Sequence, residues 1–95
     1  MELALNDKVY VIKKMKARML RRAIEVKAKV DFENLSVEDL DILVDLTCEL
    51  YEGQFTRDEF YDGLDGDKLI DTLALTLNRT VDGVLNRLDT FPKEQ

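Results

Sequence analysis

Three times along this chain a helix start is written out with both its cap and its apolar clasp, and these starts constrain the fold more than any other feature. Ser36 offers an N-cap oxygen, Asp39 stands three residues later, and Leu35 and Leu40 occupy the positions of a hydrophobic staple. Thr56 and Glu59 repeat the capping box, with Phe55 and Phe60 as the matching staple. Asp65 opens a third run, flanked by Leu64 and Leu69. Cap, staple and the apolar periodicity behind them agree, and that agreement predicts helices over 37–52, 57–62 and 66–89.

The apolar residues give each helix its inner face. Leu40, Leu43, Val44, Thr47, Leu50 and Tyr51 form the stripe of the first capped run, and Gly53 is its predicted stop. Leu69, Leu73, Leu77, Val81, Val84 and Leu88 form the stripe of the last, with Ile70, Ala74 and Leu85 beside it. That run would be about 36 Å long at 1.5 Å per residue, with Gly83 as a point of interruption and Phe91-Pro92 as its end. An earlier helix is predicted over 15–30, where Met15, Met19, Ala23, Val26 and Val30 recur at helical spacing and Leu20 and Ile24 widen the stripe. Ahead of it, Leu3-Ala4-Leu5 and Val9-Tyr10-Val11-Ile12 flank Asn6-Asp7, which reads as a two-residue turn in a β-hairpin within 1–12. Residues 1–95 therefore read as one mainly α domain, a compact bundle of about four helices with a small N-terminal β-hairpin.

Composition narrows the chemistry. Cys48 is the only cysteine and there is no histidine, so neither an intrachain disulfide nor a thiolate or imidazole metal site can be assembled. The acidic run from Asp58 to Asp67 invites a calcium-loop reading. A loop begun at Asp62 would need an oxygen ligand at Leu64 and the bidentate glutamate at Leu73; one begun at Asp65 would need a ligand at Leu69 and has Thr76 in place of the glutamate, so both registers fail. Twenty acids in 95 residues give many chance carboxylate pairs and nothing that selects one for catalysis. No glycine-rich phosphate loop is present. The chain reads as a non-enzymatic protein without cofactor or metal, and no run of apolar residues is long enough for a membrane span.

Charge is distributed unevenly. Residues 1–30 carry nine basic and three acidic side chains, whereas residues 31–95 carry five basic and seventeen acidic. Lys13, Lys14, Lys16, Arg18, Arg21 and Arg22 make the one basic cluster. Phosphate contact is one use for it, but a chain of net charge −6 suits nucleic acid poorly, and the favoured reading is a cluster that faces solvent or the acidic half of a neighbouring copy. Arg18, Arg21 and Arg22 are the candidate self-association residues.

The pattern resembles a family, the tail assembly chaperones of long-tailed (siphovirus-type) bacteriophages and prophages of Gram-positive hosts. The likeness runs through Lys16-Ala17-Arg18-Met19 and the segment Phe32-Glu33-Asn34-Leu35-Ser36-Val37-Glu38-Asp39-Leu40-Asp41. Its most distinctive stretch is Gly53-Gln54-Phe55-Thr56-Arg57-Asp58-Glu59-Phe60-Tyr61-Asp62-Gly63-Leu64-Asp65. It closes with Val81-Asp82-Gly83-Val84, then Leu88 and Phe91-Pro92-Lys93, where Asp82-Gly83 stands in place of the paired glycines common in the family.

The resemblance implies a mostly helical morphogenesis factor that binds the phage tape measure protein and helps recruit the major tail tube protein. It implies a homo-oligomer working in the host bacterial cytoplasm and absent from the mature virion. It further implies that this is the short form of a pair whose longer member arises by frameshifting near the gene's end. On that reading the partner surface is expected on the last helix and on the segment from Phe55 to Leu64. The candidate residues are Phe55, Phe60, Tyr61, Leu64, Leu77, Val81 and Val84. Two alternatives stand beside it: a small nucleic-acid-binding helical regulator acting through residues 13–22, and another structural phage protein such as a head–tail connector.

Overall fold

The capped starts at Ser36 and Thr56 form as local chemistry dictates. In the computed structural model, which describes residues 2–90 and side chains through residue 82, Ser36 Oγ accepts the Asp39 amide at 3.1 Å. Asp39 Oδ2 in return accepts the Ser36 amide at 3.3 Å. Thr56 and Glu59 make the same exchange, at 3.1 and 2.9 Å. Each box satisfies two amides that a helix start otherwise leaves without partners.

The chain runs through a hairpin, β1 (Glu2–Leu5) and β2 (Lys8–Val11), then α1 (Ala17–Lys29), α2 (Val37–Leu50) and α3 (Arg57–Gly63). A single 3-10 turn, Gly66–Lys68, leads into α4 (Leu69–Thr90). This is the mainly helical architecture with an N-terminal β-hairpin that the sequence predicts. The hairpin is antiparallel, with Leu5 opposite Lys8 and Leu3 opposite Tyr10. Asn6 and Asp7 both take positive φ, 50° and 66°, the twist that suits a two-residue hairpin turn.

The core collects one face of every element. Leu3 and Leu5 of β1 join Ala23 and Val26 of α1, the long buried side of α2, Phe60 of α3, and Leu73, Leu77 and Val81 of α4. α2 is the central helix: it meets α1, α3 and α4, and Leu46 is buried as well as the predicted Leu43, Val44, Thr47 and Leu50. Two buried threonine hydroxyls bond within their own helices, Thr47 to the Leu43 carbonyl at 2.9 Å and Thr80 to that of Thr76 at 2.8 Å. Neither therefore carries an unpaired polar group into the core.

Four local features differ from the sequence reading. α1 begins at Ala17, not at residue 15: Lys16 occupies the N-cap without a side-chain cap, and the first turn holds no acid to favour it. Met15 is exposed, as is Ile24, which the periodicity had set beside the buried stripe. Asp65 sits at the predicted start of the last helix but makes no side-chain cap, and the chain first tightens into the 3-10 turn. α4 continues through Gly83 without interruption. The side chains of Val84, Leu85 and Leu88, and the stop at Phe91-Pro92, lie outside the described residues.

Candidate functional site

The stretch from Gly53 to Asp65 is the most distinctive part of the sequence. Glu52 and Gly53 end α2 with positive φ, 57° and 72°, and the Gly53 amide returns to the Cys48 carbonyl at 3.0 Å. That closure satisfies a carbonyl of the last turn and swings the chain back along α2. Phe55 then enters an aromatic row. Its ring centroid lies 5.0 Å from that of Tyr10 and 5.3 Å from that of Tyr51. Phe60 continues the row at 6.1 Å from Phe55, and Tyr61 stands 6.2 Å beyond Phe60. Hairpin, α2 and α3 are thus joined through one line of rings.

Polar contacts hold the outer side of α3. Arg57 donates from Nε and Nη2 to the two carboxylate oxygens of Asp45, at 2.9 and 2.6 Å, and its Nη1 lies 3.7 Å from Asp41. Tyr61 donates its hydroxyl to Asp41 at 2.8 Å. Asp41 and Asp45 are one helical turn apart on α2, so a single face of that helix receives both donors. The Arg57 hydrogen bonds hold the Asp45 carboxyl below the usual carboxylate range, against a smaller opposing effect of burial. Burial, reinforced by the bond to Asp41, pushes the Tyr61 hydroxyl up to about 12.

The buried part of this motif, Phe55 and Phe60, is therefore scaffold. Of the residues the sequence proposed as a partner surface, Phe55, Phe60, Leu77 and Val81 are buried among the chain's own side chains, Phe60 with no exposed area at all. They are core contacts in the folded chain, because staple and stripe positions point toward the helices they clasp. Tyr61 and Leu64 are half-buried, and the Val84 side chain lies outside the described residues. Arg18 and Arg21 are exposed; Arg22 is half-buried and lies 3.6 Å from Glu25 and 3.5 Å from Glu49. Cys48 is half-buried, and desolvation raises its thiol pKa, which disfavours the reactive thiolate.

Several large apolar side chains remain in solvent instead: Val9 and Val11 on the outer face of the hairpin, Ile24, Val37, Ile70 and Leu75. Leu75 is not among the partner-surface residues expected from the sequence, although its position two residues from both Leu73 and Leu77 sets it across the helix from their stripe.

A family model described as phage tail chaperone protein matches residues 1–91. No curated protein and no solved structure matches the chain.

Proposed function

This chain belongs to the phage tail chaperone protein family and serves phage tail assembly, and from that premise we propose that it binds the tape measure protein before the tail tube forms around it. In this reading the chaperone also recruits the major tail tube protein, works as a homo-oligomer in the cytoplasm of the host bacterium, and is absent from the finished virion. Copies would associate head to tail, with Arg18, Arg21 and Arg22 of one meeting acidic residues of the next.

The family match through residues 1–91 carries the proposal. The exposed apolar side chains give it a physical basis. A long helical protein without its tube presents apolar stripes, and Ile24, Val37, Ile70 and Leu75 could cover them while the surrounding charge keeps the complex in solution. Buried Phe55 and Phe60 serve by holding those helices in place.

Co-expression with the tape measure protein of the same phage, with a tag on the chaperone, tests this reading. Soluble tape measure protein recovered with several chaperone copies per chain is the expected result. A tape measure protein that stays insoluble and does not copurify, even when the longer frameshifted chaperone is supplied, would remove the proposal. Charge reversal at Arg18, Arg21 and Arg22 should lower the mass measured by light scattering. An unchanged mass would rule out the head-to-tail contact.

A further inference from the structure

The two outer edges of the hairpin differ in what lies beside them: Gln54 reaches the end of β2, and a groove runs along β1. Because Leu5 and Lys8 flank the two-residue turn, they and the pair Leu3–Tyr10 face each other through the ladder hydrogen bonds. The main-chain groups of Val9 and Val11 then point away from β1, and those of Glu2 and Ala4 point away from β2. On the β2 side Gln54 caps the far end of the edge, donating Nε2 to the Val11 carbonyl at 2.9 Å, while the outward groups of Val9 have no hydrogen-bond partner among the described residues. On the β1 side the outward groups of Ala4 have no hydrogen-bond partner among the described residues. No proline or bulge interrupts that edge, which is four residues long and carries Glu2 as its one charge.

This open edge borders a groove of about 260 Å³ whose other wall is α4. Lys68 of the 3-10 turn and Thr72, Leu75, Thr76 and Arg79 of α4 line that wall as one continuous stripe. The stripe spans about 16 Å, close to the length of five extended residues. Leu75, half exposed, lies near its middle. Lys68 lies at the turn end of the hairpin, beside Asn6 and Gly63, so α4 runs antiparallel to β1 and Arg79 falls at the Glu2 end. Arg79 makes no ion pair among the described residues, whereas Lys68 lies 3.9 Å from Asp65.

We propose that β1 and α4 together form a docking groove for an extended segment of a partner protein, which adds to β1 as a third, antiparallel strand. Main-chain bonds to Glu2 and Ala4 supply affinity, and side chains at alternate positions of the segment rest on Thr72, Leu75 and Thr76. The antiparallel direction brings the C-terminal end of the segment to Arg79, so the matching ligand is apolar at alternate positions and carries a carboxylate at that end. Glu2 shares this end of the groove, which restricts the match to one carboxylate and disfavours an acidic cluster.

The test uses the full chain and a short capped peptide that alternates threonine with valine and ends in glutamate. By NMR titration, the Ala4 amide should shift and gain protection from exchange, with accompanying shifts confined to β1 and residues 72–79. Ala4→Pro removes one outward donor without touching the hairpin's own bonds, and should bind about tenfold more weakly, the scale of one main-chain hydrogen bond. Arg79→Glu should reverse the preference for the glutamate-ended peptide over a lysine-ended one. Absence of shifts in excess peptide, equal binding by Ala4→Pro, or an unchanged preference in Arg79→Glu would overturn the proposal. Concentration-dependent shifts of the same amides without peptide would assign the edge to a second copy and overturn it equally. No tape measure protein enters this test, so its failure is separate from failure of the proposed function.

Discussion

Arg57 grips both carboxylate oxygens of Asp45, at 2.9 and 2.6 Å, and so ties the first turn of α3 to the middle of α2. Both side chains are more than a third exposed, and water screens much of the attraction. The pair matters mainly as a pH-dependent latch. Asp45 titrates below its ordinary value of 3.8 in the folded chain, so its contribution is present above that value and is lost as pH falls through the lowered pKa. Arg57→Ala should therefore unfold more easily than the wild type at neutral pH. The gap should be small beside a core truncation, and should close in acid below about 3.8. Denaturant curves across that range, with Asp45→Asn and the double variant completing a cycle, measure it. A gap that persists in acid would mean that Arg57 acts through its packing and not its charge.

Tyr61 behaves in the opposite sense. Its hydroxyl is held protonated by burial and by donation to Asp41, which moves its pKa from 10.0 to about 12. The associated stability is fully present below pH 10 and is lost as pH rises toward 12. Tyr61→Phe should be less stable at neutral pH by about 1 kcal/mol, the usual worth of one hydrogen bond. It should also lose less stability than the wild type between pH 10 and 12. Thermal melts at neutral and alkaline pH check both halves.

These local devices differ in how far the sequence declares them. Ser36 with Asp39, and Thr56 with Glu59, are readable because donor and acceptor lie within one turn, so no distant contact can reassign them. Asp65 looks similar in sequence yet makes no cap, because Gly66–Lys68 form a tighter turn before α4 begins. Burial was legible where the apolar stripe was dense, as along α2, and misleading at residues beside a stripe, as at Ile24 and Ile70, which stay exposed. The groove beside β1 could not be read from the sequence, since it depends on where α4 runs relative to the hairpin.

The hairpin is seated by a close approach at Gly63. The Asn6 amide donates to the Gly63 carbonyl at 3.2 Å. A Cβ at Gly63 would stand 3.0 Å from Leu5 Cβ and 3.3 Å from Asn6 Nδ2. Gly63→Val should therefore lift the turn and cost about 1–3 kcal/mol, as overpacking usually does. Gly66→Ala is the control, since a Cβ there meets nothing within 4 Å. Its stability should stay within about 0.5 kcal/mol of the wild type. Chemical-denaturation curves, with the methyl signals of Leu3 and Leu5 as reporters, separate a displaced hairpin from global loss of structure.

Phe60 and Leu75 mark the division between scaffold and surface. Phe60 is fully buried at the meeting of α3, α2 and the aromatic row, whereas Leu75 is 51% exposed on α4. Phe60→Ala should cost about 3–5 kcal/mol, a large part of what holds a chain of this size folded. Any loss of partner capture in that variant should follow its unfolded fraction. Leu75→Asp should leave the melting transition nearly unchanged, within about 0.5 kcal/mol, while reducing recovery of the tape measure protein on co-expression. Circular dichroism and copurification of the two variants under the same conditions distinguish the roles. Full capture by Leu75→Asp, together with lost capture by a still-folded Phe60→Ala, would return the anchor role to the aromatic motif.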